Sequence, residues 1–369
     1  MPAGPREIDK LFFMMSKHNA SDLHLKVGSP PIMRVDRQIR RVETQPLSHD
    51  GILALIGPVM TDKARADFEE TGNADFAVSV PGVGRYRVNV FRQRGSISMA
   101  ARRVEYDIPT FADLHLPPNV QNLVKLENGL CIVAGPTGSG KSTTLAAILD
   151  TINHTRACHI LTIEDPIEYL YRDDKAFINQ REIGLDVEDF RAGLKYALRE
   201  DPDVLLVGEM RDPETFEIAL QAAETGHLVF GTLHASSAAQ SIGRMLDLFT
   251  EARHHQIRQL LSFNLRAVVV QLLLRGASPA APVVPAVEVM LVNPTIRKLI
   301  RDGEDRNIPD VIRGAQGEGM LDLLQSLHDL VKSKLVSEAV AREVAPSAEA
   351  LAMKLRGIVV GGQQGGILR

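Results

Sequence analysis

The sequence predicts an α/β protein of two domains, and three observations carry that prediction. The chain has 369 residues, more than one hydrophobic core usually organises. Its first hundred residues carry short alternating apolar runs broken by Pro and Gly, as half-buried strands do. From Leu130 onward, apolar runs of strand length alternate with stretches of helical spacing. That alternation belongs to a mostly parallel sheet covered by helices.

Taken in order, residues 6–20 space Ile8, Leu11, Phe12 and Met15 on one helical face, and Asn19 to Asp22 breaks the pattern. Strand-like runs follow at Asp22 to Lys26, Ile32 to Val35, Ala74 to Val80, Tyr86 to Phe91 and Ser96 to Met99, with helical spacing over Asp50 to Glu69. This gives an α+β domain over 1–107. Ile108-Pro109-Thr110 and Leu116-Pro117-Pro118 mark 108–118 as a linker and hinge. The α/β core spans 119–293, with strands at Leu130 to Ala134, His159 to Ile163, Val204 to Val207 and Leu228 to Leu233. A helical region with a frayed end at Gly361 to Arg369 fills 294–369.

Composition narrows the function classes. Apolar residues make up 44% and charged residues 24%, ordinary values for a globular chain. The net charge of -4 disfavours nucleic acid as a partner, because a dedicated binder carries a basic excess. Cys131 and Cys158 sit far apart in apolar stretches, so neither a disulfide framework nor a zinc site is expected, and both read as small buried hydrophobes. No apolar run approaches the ~20 residues that span a bilayer, and the start MPAGPREIDK has no basic-then-apolar signal pattern. The expectation is a cytoplasmic protein without direct membrane insertion.

The chemistry-bearing motif is Gly135-Pro136-Thr137-Gly138-Ser139-Gly140-Lys141-Ser142, a GxxxxGK[ST] run between a strand and a helix that starts near Thr143. Glycines let backbone N–H groups curl around phosphates, and the helix N-terminus adds partial positive charge. Lys141 is expected to reach the β- and γ-phosphates of ATP and Ser142 to hold Mg²⁺.

In an open parallel sheet, reacting groups gather beyond the carboxyl ends of the strands. Glu164 follows the His159 run, in Glu164-Asp165-Pro166-Ile167-Glu168; Glu209 follows Val204-Leu205-Leu206-Val207-Gly208. Either carboxylate suits water activation or the Mg²⁺ shell through water, and both assignments stay open. Gly208 stands where an Asp commonly precedes the Glu, which places more of the metal work on Ser142 and water. His227 and His234 bracket the Leu228 to Leu233 strand, a place from which an imidazole can report loss of a phosphate. Arg85, Arg87, Arg92, Arg94, Arg102 and Arg103 form a dense run; alternation puts Arg85 and Arg87 on one strand face and Val88 and Val90 on the other. A guanidinium fork suits phosphate oxygens, and the competing reading is a solvated basic face.

With these residues in place, the chain resembles the secretion ATPase superfamily, and within it the PilT/PilU type IV pilus retraction ATPases, over about residues 7–356. The markers are Ser21-Asp22-Leu23-His24-Leu25, Arg85-Tyr86-Arg87-Val88-Asn89, the phosphate loop with Thr143-Thr144-Leu145, Thr162 through Tyr169, Gln180 through Gly184, Leu198 through Asp203, Gly208 through Asp212, and His227 through His234. The resemblance implies a PAS-like N-terminal domain joined to a RecA-like ATPase domain, and a homohexamer. It also implies that Arg85, Arg87 and Arg102 contact nucleotide between subunits. As partners it implies a PilC-like platform protein of the inner membrane, with recruitment to the membrane's inner face, and a paralogous retraction ATPase. Extension and type II secretion ATPases typically carry a tetracysteine zinc site and a longer N-terminal region; the two separated cysteines here favour retraction. Thr295-Ile296-Arg297-Lys298-Leu299-Ile300 keeps four of six positions of the AIRNLI motif, which favours PilT, while Ala345 through Leu355 looks more like PilU. Competing functions are a DNA-translocating conjugation ATPase and a nucleotide-gated assembly module with little turnover.

Overall fold

The computed structural model describes residues 6–35, 38–104 and 106–358. They divide into two compact units, one running to Asp107 and taking in Glu168–Leu170, the other comprising Ile108–Ile167 and the chain from Tyr171 onward.

The N-terminal unit is a six-stranded antiparallel sheet in the order β3-β2-β1-β6-β5-β4. Its strands are β1 (Ala20–Lys26), β2 (Ile32–Val35), β3 (Gln38–Arg41), β4 (Asn73–Val80), β5 (Gly84–Gln93) and β6 (Ser96–Arg103). Strict alternation sends Tyr86, Val88 and Val90 of β5 into the core and Arg87 and Asn89 to the opposite face. The helix Glu7–Lys17 closes the core with Ile8, Phe12 and Met15, all fully buried. Tyr86 donates its hydroxyl hydrogen to the carbonyl of Phe12 at 2.7 Å, and the two rings stack at 4.2 Å. Burial pushes the Tyr86 phenol up to about 12, so it serves as a neutral donor. The single helical stretch expected over Asp50 to Glu69 is two helices, His49–Ile56 and Asp62–Thr71, because Gly57-Pro58 interrupts it. The sequence reading missed β3, whose four residues are all exposed and carry no apolar alternation.

The second unit is built on a seven-stranded sheet, in the order β13-β12-β7-β11-β10-β8-β9. Its strands are β7 (Gly129–Ala134), β8 (His159–Glu164), β9 (Phe177–Glu182), β10 (Val204–Val207), β11 (Leu228–Leu233), β12 (Leu265–Ser278) and β13 (Ala281–Leu291). All neighbours pair in parallel except the β12–β13 hairpin. Every residue of β7, β10 and β11 is buried, and separate apolar clusters cover the two faces, which is why these strands read as continuous apolar runs. Burial of each large side chain there contributes about 1.5–3 kcal/mol. The Leu228 run is therefore the fifth strand of this unit in chain order rather than the fourth, since the polar edge strand β9 precedes it.

Two further expectations change. Phe111 and Leu116, within the stretch read as a hinge, are buried in one core of the second unit, so 108–118 is anchored there and is not a free linker. Cys131 is buried and its thiol pushed up to about 12 by that burial, while Cys158 is half-buried. The C-terminal helices Leu323–Lys332, Glu338–Val344 and Ala348–Leu355 pack Leu327, Leu330, Ala341 and Leu351 against Leu274, Val284 and Ala286 of the hairpin. The stretch read as a frayed end, Gly361 to Arg369, lies outside the described residues. No helix among the described residues is long and apolar enough to cross a membrane.

Candidate active site at the carboxyl ends of the central strands

β7 delivers the chain to Gly135, where φ of +149° opens the loop, and Gly138 and Gly140 continue it at +77° and +82°. A β-carbon on Gly135 would sit 2.3 Å from the carbonyl oxygen of Gln271 on β12, so only glycine fits. Pro136, Thr137 and Gly138 are exposed at the tip, Ser139 is buried, and the helix Lys141–Thr155 begins directly behind Gly140. Thr143 lies in its first turn. Lys141 donates from Nζ to the carbonyls of Gly135 and Pro136, both at 3.0 Å, which draws its ammonium across the loop. The Gly135 N–H donates to the carbonyl of Leu233, fastening the loop to the end of β11.

The carboxylates arrive on the neighbouring strands. Glu164 closes β8; its Oε1 accepts from the Thr162 hydroxyl at 2.6 Å and from Gln180 Nε2 of β9 at 3.2 Å. Gly208 directly follows β10, its N–H donating to the Ile163 carbonyl at 2.8 Å, while its own carbonyl accepts from the Thr232 hydroxyl at 2.5 Å. A β-carbon on Gly208 would press on the Ile163 oxygen and Glu164 Cα at 3.2 and 3.3 Å, which gives a packing reason for glycine where an Asp commonly stands. Glu209 follows, with Oε2 accepting from Arg211 at 2.5 Å and Oε1 lying 3.3 Å from His234 Nε2. Burial alone would raise the Glu209 carboxyl, but the hydrogen bond and charge of Arg211 outweigh it, with His234 and Lys141 adding to the pull. Glu209 is thus held ionised below the usual carboxylate range.

The fold therefore gathers the loop, Lys141, Glu164, Glu209 and His234 at one end of the sheet. His227 is not among them. It precedes β11 at the other end, about 20 Å away along six strand residues. There its Nδ1 lies 2.9 Å from the Ala222 carbonyl and 3.1 Å from the Thr225 hydroxyl, closing the end of the helix Pro213–Glu224. Direct contact of His227 with phosphates in its own subunit's loop is thereby ruled out by topology.

Arg85, Arg87 and Arg102 belong to the N-terminal unit. Arg87 and Arg102 stand directly opposite each other on β5 and β6, a like-charge pair that would repel. The next strand supplies the compensation. Asp22, 8% exposed, accepts from Arg102 Nε at 2.9 Å and lies 3.6 Å from Arg34 Nε. Arg85 donates to the Ser79 hydroxyl at 3.4 Å.

Sequence reasoning passed over Arg211 and Gln271 as site residues. Arg211 stands two positions from Glu209, and a charge at that spacing was a usable signal. Gln271, buried inside a strand more than a hundred residues from the loop, offered none.

Residues 99–318 match the family model described as Type II/IV secretion system protein. The chain is 45% identical to the type IV pilus retraction ATPase PilT of Pseudomonas aeruginosa, over 92% of its own length and 98% of the relative's. The chain belongs to this secretion ATPase family. It is an ATP-hydrolysing enzyme with an N-terminal domain and a RecA-like ATPase domain. A second relative, the type IV pilus ATPase PilU of the same organism, is 38% identical over 95% of this chain and 91% of the relative. The crystal structure of the pilus retraction motor PilT with bound ADP superposes with a TM-score of 0.85 at 42% identity, covering 94% of this chain and 99% of that one. PilT is thus the nearer of the two paralogous types.

Proposed function

We propose that the chain is the ATP-driven motor of type IV pilus retraction, working as a cytoplasmic homohexamer on the inner face of the membrane. The observation that carries this reading is end-to-end similarity to a pilus retraction ATPase, with the site's carboxylates and lysine in place around the loop. Gly135 to Thr143 would cradle the ATP phosphates and Lys141 would neutralise the β- and γ-oxygens. The residues fit Mg²⁺: Ser142 is exposed at the helix start, Glu209 is ionised, and oxygen donors suit a hard cation. Among the described residues no cluster of three His, Cys, Asp or Glu could hold a metal, so the ion would depend on phosphate oxygens as well as on Ser142. When bound, it would draw charge from the phosphoryl oxygens. Glu164, oriented by Thr162 and Gln180, and Glu209, held charged by Arg211, are the groups that would align and deprotonate the attacking water, with His234 reading the phosphate's departure through Glu209. Arg85, Arg87 and Arg102 would reach nucleotide in a neighbouring subunit. The motion would be delivered to a PilC-like platform protein, alongside a paralogous retraction ATPase.

Lys141→Ala tests this in two places. Purified protein should lose ATP turnover, and a strain lacking its own retraction ATPase should regain twitching with the wild-type chain and not with the variant. Turnover unaffected by Lys141→Ala refutes the site; wild-type turnover without restored twitching refutes the pilus assignment. Turnover that rises on adding DNA would point to a translocase instead.

A further inference from the structure

The side chain of Gln271 lies beneath the phosphate loop, is 2% exposed, and touches both the loop and the helix that follows. Its Nε2 donates to the Ser139 carbonyl at 2.7 Å, and its Oε1 accepts from the Thr144 hydroxyl at 2.8 Å. The amide can face only one way, since a carbonyl accepts and never donates. Thr144 is itself buried, and a β-carbon on Gly140 would come within 2.9 Å of Gln271 Nε2. The backbone of the same residue sets the position of Gly135 at the loop's other end. One residue of β12 thus meets the first turn of the loop, its last peptide and the first turn of the helix.

The chemistry follows from the planarity of the peptide. In a trans peptide the C=O of Ser139 and the N–H of Gly140 point in opposite directions. Fixing the carbonyl against Gln271 therefore aims the Gly140 N–H away from the strand. Gly140, at φ of +82°, has the backbone freedom to let that peptide turn over if nothing holds it. The hydroxyl of Thr144 holds the other end of the amide, so the two bonds act as one staple across the loop–helix junction.

We propose that Gln271 is a positioning residue for nucleotide binding: it locks the Ser139–Gly140 peptide so that the Gly140 amide faces the phosphates. The proposal rests on the reading that Gly135 to Ser142 holds the phosphates. Because the Gly140 amide would serve ADP and ATP alike, its loss removes uniform binding, which raises KM and leaves kcat nearly unchanged.

The test uses the full-length protein in its native assembly. Gln271→Met keeps length and burial without the amide and should weaken ADP affinity and raise the KM for ATP about tenfold, the worth of one charge-assisted hydrogen bond. Thr144→Val, which removes only the hydroxyl that orients Oε1, should weaken both by a smaller factor. Combining the two should be no worse than Gln271→Met alone, since both break one staple. An ADP affinity within threefold of wild type in Gln271→Met overturns the proposal, as does a double variant whose effect is the product of the single ones. If Gln271→Met fails to fold, Thr144→Val decides: a raised KM with unchanged kcat supports the staple, and unchanged KM overturns it. Lys141→Ala run in parallel separates the premises: nucleotide binding that survives it faults the phosphate-loop reading rather than the staple.

Discussion

Gly135→Ala puts a single methyl group where the structure has no room for one. The added carbon would lie 2.3 Å from the Gln271 carbonyl oxygen and 2.6 Å from Ser139 Oγ, against an ordinary carbon–oxygen contact of about 3.3 Å. Something must move by about 1 Å. β12 is hydrogen-bonded to β7 on one side and β13 on the other, whereas Pro136, Thr137 and Gly138 are exposed, so the loop yields and the strand stays. The positive φ adds strain to the same residue. A reacting geometry displaced by about 1 Å loses roughly a hundredfold in rate, or about 2.7 kcal/mol of barrier. Steady-state ATP hydrolysis should therefore fall by about two orders of magnitude, with the thermal unfolding of the nucleotide-free protein shifted far less because the strands keep their pairing. Hydrolysis within threefold of wild type would refute the argument that the loop's position is set by β12.

The Arg211–Glu209 pair makes a prediction about pH. Glu209 is depressed chiefly by Arg211, so its ionised form persists until the pH falls through that lowered value; in Arg211→Gln the carboxyl rises and the acid limb of the kcat/KM profile should move to higher pH. An unmoved acid limb would mean that Arg211 does not control the titrating group. In the N-terminal unit, burial would raise the Asp22 carboxyl, but Arg102 and Ser21 hold it below its usual value, so the interaction stabilises the folded state above the ordinary carboxylate pKa and fades on acidification. Asp22→Ala should cost about 1–3 kcal/mol in denaturant melts at neutral pH and less in acid; an equal loss at both would show that charge plays no part.

The legibility of this protein follows its hydrophobic burial. β7, β8, β10 and β11 were readable because strands covered on both faces must be apolar throughout, and the loop was readable because its glycines and lysine are required by phosphate chemistry. β9 was not, since an edge strand carrying Asn179, Gln180, Arg181 and Glu182 has no apolar signature. The two ends of β11 show the other limit. Chain order already sets His227 before the strand and His234 after it, but only the structure shows that His234 lies beside Glu209 while His227 closes a helix.

By itself the sequence determined that a phosphate loop sits between strand and helix, that Glu164 and Glu209 end neighbouring apolar runs, and that the chain has a small domain before this core. These are local facts, fixed by spacing along the chain. The tertiary structure alone decided that Asp22 offsets the arginines facing each other on β5 and β6, and that Gln271 braces the loop. Each of those depends on which side chains meet in space, and pairing across a sheet joins residues whose separation in sequence carries no record of the contact.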